Sequence, residues 1–96
     1  MYECHLTFEP VEGELLSDLK AICLKYKFRV ADLIMVKNRQ ATPERSNRDT
    51  FCTGHATTER DMFERMVDLH RDVEKSLGIK VWRRKIEHII LDERFT

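Results

Sequence analysis

The hydrophobic period of this chain switches from two to about 3.6 residues and back, twice over, and that order leaves few folds open. At residues 2–9, Cys4, Leu6 and Phe8 alternate with Glu3, His5 and Thr7, the mark of a strand buried on one face. After Pro10 the apolar positions Leu15, Leu19, Ile22 and Tyr26 fall at helical spacing, which predicts a helix over residues 12–25. Residues 28–36 are again apolar and partly β-branched, a second strand interrupted by Asp32.

The second half repeats the plan. Residues 50–57 place the small residues Cys52, Gly54 and Ala56 on one face and Thr53, His55 and Thr57 on the other, so a helix can pack close against the first set. Thr58 and Asp61 have capping-box spacing, Met62, Met66, Leu69, Val73 and Leu77 mark one helical face, and Gly78 provides a left-handed stop. Residues 79–92 then read as a long fourth strand, in which Trp82, Ile86 and Ile90 alternate with Arg83, Lys85 and Glu87.

Two right-handed β-α-β units in this order predict an α+β, ferredoxin-like β-α-β-β-α-β sandwich: a four-stranded antiparallel sheet, its first and third strands central, with two helices on one face. A swapped or intertwined dimer built from the same elements is the alternative, because the fourth strand is longer than its partners. The 96 residues suit one domain spanning residues 1–96. Residues 37–49 are nearly devoid of apolar side chains and read as a mobile loop.

Seventeen basic and seventeen acidic residues cancel, which argues against a generic polyanion binder and leaves nucleic acid an unexpected partner. Cys4, Cys23 and Cys52 are odd in number and lie in regular segments, so reduced, buried thiols are expected in place of a disulfide framework. No leader-like start and no membrane-length apolar run is present, so a cytoplasmic protein without membrane attachment is the expectation.

The polar side of the sheet carries what chemistry the sequence offers. Parity assigns Trp82 and Ile86 to the helix side with Cys4, Leu6, Phe8, Cys52, Gly54 and Ala56, and gives the opposite face to Glu3, His5, Thr7, Thr53, His55, Thr57, Arg83, Lys85 and Glu87. Phe51, Ile89 and Leu91 fall on that open side as well, and a second copy of the chain is the simplest cover for them, with Ile89 and Leu91 at the interface. Cys4 and His5 point to opposite faces, as do Cys52 and His55, so no metal site is expected, and no cofactor motif is present. An RNA-binding plait would need aromatic residues on the exposed centres of the first and third strands, where His5, Thr7, Thr53 and His55 stand instead.

His5-Leu6-Thr7 and His55-Ala56-Thr57 form a repeated His-x-Thr pattern at equivalent strands. The pair resembles the motifs of the two-histidine phosphoesterases, which act on cyclic or 2′,5′-linked phosphodiesters; the resemblance covers these two tripeptides. It implies His5 and His55 as catalytic acid and base and Thr7 and Thr57 as phosphate ligands. Arg83 and Lys85 would offset the phosphate charge. The alternation of an ordinary strand produces His-x-Thr too. The leading expectation is therefore a small self-associating binding domain that uses its open sheet face for a partner or small anionic ligand, with phosphodiester chemistry as the alternative.

Overall fold

The computed structural model describes residues 1–31, 49–91 and 93. Its elements run β1 (Tyr2–Phe8), α1 (Glu14–Lys25), β2 (Phe28–Val30), β3 (Thr50–Ala56), α2 (Glu59–Leu77) and β4 (Val81–His88). The strands form one antiparallel sheet in the order β2-β3-β1-β4. This is the ferredoxin-like α+β fold, with β1 and β3 central and β2 and β4 at the edges.

Alternation decides which sheet face is covered. Cys4, Leu6 and Phe8 of β1 and Cys52 of β3 are fully buried, and they pack with Leu19 and Cys23 of α1 and with Met62, Met66, Leu69 and Val73 of α2. Burying a side chain of Leu or Phe size stabilises by roughly 1.5–3 kcal/mol each, so this layer supplies most of the drive to fold. Gly54 has a specific reason to be glycine. It pairs with Phe28 across β2 and β3, and a Cβ there would sit 2.9 Å from the Phe28 ring. The missing side chain is the space the aromatic ring fills.

The α2 boundaries follow from local chemistry. The Thr58 hydroxyl accepts the Asp61 N–H at 3.1 Å, and Gly78 takes φ 66° while its N–H reaches the Glu74 carbonyl at 3.0 Å. The helices are tied by Asp72 on α2, whose carboxylate accepts from Lys25, Tyr26 and Ser76 at 3.0, 2.8 and 2.6 Å. Those bonds hold its carboxyl down at about 2.

Three sequence expectations change in detail. Trp82 does not join the core: the β1 and β4 register steps from Thr7↔Arg83 to Phe8↔Val81, so Trp82 is the extra residue of a bulge and is 54% exposed. Arg84 takes a helix-side place instead, opposite Leu6, with its guanidinium 3.4 Å from His70 Nδ1. Leu15 is exposed and Leu16 packs in its stead, because the buried face of α1 runs through Leu19 and Cys23, three and seven residues after Leu16. The last strand ends at His88, short of residue 92. Of the second strand, residues 28–30 are seen; residues 32–36, and the loop expectation for 37–48, lie outside the described residues, and Asp49 is buried.

Candidate functional site

The register places the polar side chains of the open face in three rows across the sheet. In the middle row Arg29, Thr53, His5 and Lys85 stand side by side on β2, β3, β1 and β4. Below it come His55, Glu3 and Glu87; above it Phe51, Thr7 and Arg83. Neighbours within a row are separated by about 5 Å and rows by about 7 Å, so side chains of His and Glu length reach one another.

They do so through hydrogen bonds centred on β1. His5 Nδ1 lies 3.0 Å from Thr53 Oγ1, and its Nε2 lies 3.1 Å from Glu3 Oε2 and 3.4 Å from Glu87 Oε1. The other Glu3 oxygen is 2.9 Å from His55 Nε2. Lys85 Nζ approaches the same Glu87 oxygen at 3.6 Å. Six polar side chains from three strands thus share one network, open to water: the His5 side chain is 32% exposed and that of His55 47%.

Packing beneath the face sets these positions. Cys4 and Leu6 anchor β1 on either side of His5, and burial pushes the Cys4 thiol up to about 11. Cys52, beside Thr53, is raised as well, first by its hydrogen bond to Cys23 and then by burial. Such thiols stay protonated and unreactive. Arg65 of α2 fixes the end of β3, donating to the carbonyls of Tyr26, at 3.1 Å, and of His55.

The sequence-predicted residues are brought together unevenly. Both imidazoles lie on the open face, but they are offset: His5 pairs with Thr53, and His55 with Glu3. Glu3 joins them. The threonines diverge because β1 and β3 are antiparallel. Thr7 stands above His5, whereas Thr57 follows the end of β3, and along the strands the two are about 20 Å apart. Arg83 is directly opposite Thr7, and Lys85 opposite His5. Ile89 is half-buried and its N–H donates to the Met1 carbonyl at 2.9 Å, while Ile90 and Leu91 are 91% and 72% exposed.

Sequence reasoning passed over the two carboxylates at the centre of the network. Parity puts Glu3 and Glu87 on the open face without assigning them a role, and their direct pairing across β1 and β4 brings them to the same place. Glu3, His5 and Glu87 each offer a ligand atom within 4.8 Å of the others, a grouping that could hold a metal ion. On the helix side, an open hollow of about 360 Å³ is lined by Val67, His70, Arg71, Glu74 and Arg84, where His70 is already engaged by Glu74 at 3.1 Å.

The fold and the face together define a class: a small ferredoxin-like domain with an imidazole and carboxylate network on its open sheet. No family model matches the chain, and no curated protein or solved structure matches it either. Among the described residues no helix is long and apolar enough to cross a membrane.

Proposed function

We propose that this protein is a small binding domain that takes an anionic ligand on its open sheet face and self-associates along β4. The observation that carries the reading is the middle row, in which Arg29 and Lys85 flank Thr53 and His5, with Arg83 one step above. Three cations, a hydroxyl and an imidazole fit a phosphate-like group, whose oxygens accept charge-assisted hydrogen bonds. Glu3 and Glu87 lie at one end of this area, so the anion sits toward Thr7 and Arg83.

Calorimetric titration with inorganic phosphate and with 2′,3′-cyclic AMP at low ionic strength tests this. Saturable binding by wild type that disappears when Arg83 and Lys85 both become Ala is the expected result. Equal binding by wild type and double variant, or none by either probe, overturns it.

Self-association rests on the outer edge of β4, an edge strand of the sheet, and on the exposure of Trp82, Ile90 and Leu91 beside it. Sedimentation equilibrium at tens of micromolar should give a dimer, weakened by Ile89→Lys. A strict monomer removes this part of the reading.

A second reading, hydrolysis of cyclic phosphodiesters, is favoured by one feature: both imidazoles contact the same Glu3 carboxylate. One imidazole would take the proton of the attacking water and the other would protonate the leaving ribose oxygen. Turnover of 2′,3′-cyclic nucleotides with a bell-shaped pH profile, abolished in His5→Ala and His55→Ala, is its signature. Thr57 has no place in this version of the site.

A further inference from the structure

We propose that Glu3, His5 and Glu87 form a binding site for one divalent transition-metal ion of the zinc class, with His55 as the residue that orients Glu3. The inference rests on the reading of the open face as the binding surface and names a component of it.

The distances are those of a coordination sphere. Ligands at about 2.1 Å from an ion are about 3.0 Å apart at an octahedral angle and about 3.4 Å apart at a tetrahedral one. His5 Nε2 lies 3.1 Å from Glu3 Oε2 and 3.4 Å from Glu87 Oε1. An ordinary ion-pair network explains this less well. One ring nitrogen carries at most one proton, which two carboxylates converging on Nε2 could only share in a weaker bifurcated bond. A dication in place of the proton satisfies both and balances their two charges.

The surrounding bonds suit this role. A metal-binding imidazole typically donates its other ring N–H to an oxygen, which fixes the tautomer and frees the ligating nitrogen. His5 Nδ1 has that partner in Thr53 Oγ1 at 3.0 Å. His55 Nε2 holds the second oxygen of Glu3 at 2.9 Å, leaving the first for the ion. All three ligands come from the paired strands β1 and β4, Glu3 directly opposite Glu87, so the site needs no loop to close.

The imidazole selects the metal. Magnesium and calcium favour all-oxygen sites, whereas zinc, cobalt and nickel accept mixed nitrogen and oxygen donors. Three protein ligands on an exposed face leave a position for water. Lys85 has the opposite effect to the ligands: at 3.6 Å from Glu87 Oε1 it competes with the ion for that oxygen.

The test is calorimetric titration of chelator-stripped protein with Zn²⁺ and, as a spectroscopic probe, Co²⁺. We expect one ion per chain at micromolar concentrations, with Mg²⁺ failing to compete. Glu3→Gln, His5→Ala and Glu87→Gln should each weaken binding at least tenfold, and His55→Ala about tenfold, the scale of lost ligands and of their supporting groups. Lys85→Ala should tighten it. Circular dichroism of each variant checks that the fold is retained, and a Zn²⁺-dependent rise in wild-type melting temperature gives a second readout.

No Zn²⁺ binding at tens of micromolar, binding that survives the two Glu→Gln changes, or a cobalt–thiolate absorption band marking Cys4, Cys23 or Cys52 as the ligands overturns the proposal. Anion titrations repeated in chelator separate the two failures. Phosphate binding that needs Arg83 and Lys85 but no metal leaves the functional reading standing and sinks this one; metal binding without anion binding does the reverse.

Discussion

The two faces of the same sheet obey different rules, although their residues alternate one by one along each strand. On the covered face Cys4, Leu6 and Phe8 are wholly buried and held by packing. On the open face, between those same residues, Glu3, His5 and Thr7 remain half-exposed, and Glu3 and His5 are held by hydrogen bonds instead of by volume. One face supplies stability and the other has freedom for chemistry. A change of one position along β1 therefore moves a substitution from a folding experiment to a binding experiment.

The largest effect that would sharpen this contrast is expected from Phe28→Ala. The ring is 1% exposed and fills the space over Gly54, so its loss leaves a cavity and should cost about 3–5 kcal/mol in denaturant unfolding. The converse change, Gly54→Ala, puts a methyl group 2.9 Å from a ring that has no room to retreat, and about 1–3 kcal/mol is the expected loss. A Gly54→Ala protein as stable as wild type would show that the covered face is looser than its packing implies. The double variant tests the same point, because the added methyl group refills part of the vacated space and the two losses should not add.

Much of this covered face was legible beforehand, because burial writes itself into sequence as periodicity. Cys4, Leu6, Phe8 and the α2 stripe from Met62 to Val73 repeat at the strand and helix periods, and each is buried. Thr58 and Gly78 carry recognisable chemistry at the ends of α2. Trp82 was misplaced for a physical reason: a bulge inserts one residue and breaks parity, and no local residue preference announces it. The open face was legible only as a set of side chains. Which of them meet depends on register between distant strands, so the matching His-x-Thr tripeptides suggested convergence that antiparallel pairing denies to Thr7 and Thr57. The same register brings Glu3 and Glu87 together, which no spacing within the chain could reveal.

A smaller effect concerns the thiols beneath the site. Burial raises Cys4 from 9.0 to about 11, and Cys52 moves the same way, so the folded state keeps both protonated where an unfolded chain would ionise them. The raised folded value fixes the sign: this contribution is complete below pH 9 and is lost as the pH climbs from there toward about 11. Urea midpoints should therefore fall over that alkaline window, and less steeply in Cys4→Ala. Alkylation of the native protein in mild alkali should be slow and should accelerate with urea in step with unfolding. Fast labelling without urea would mean that the covered face opens on its own and would break the contrast between the faces.

The smallest effect on stability belongs to Thr53→Val, a change of hydroxyl to methyl on the open side of β3. Thr53 is half-buried between Cys52 and Gly54, so a β-branched replacement keeps the strand preference and the shape of the side chain. What is lost is the bond to His5 Nδ1 at 3.0 Å. The site is open enough for water to take over that bond, and unfolding stability should move by less than about 0.5 kcal/mol. The imidazole should lose its preferred tautomer and orientation, which is visible as a shift of the His5 ring nitrogen resonances in NMR and as weaker Zn²⁺ binding, with the melting temperature of the metal-free protein moved by no more than about 4 °C. A large fall in stability would instead make Thr53 a structural residue, and the open face would then share in holding the fold together.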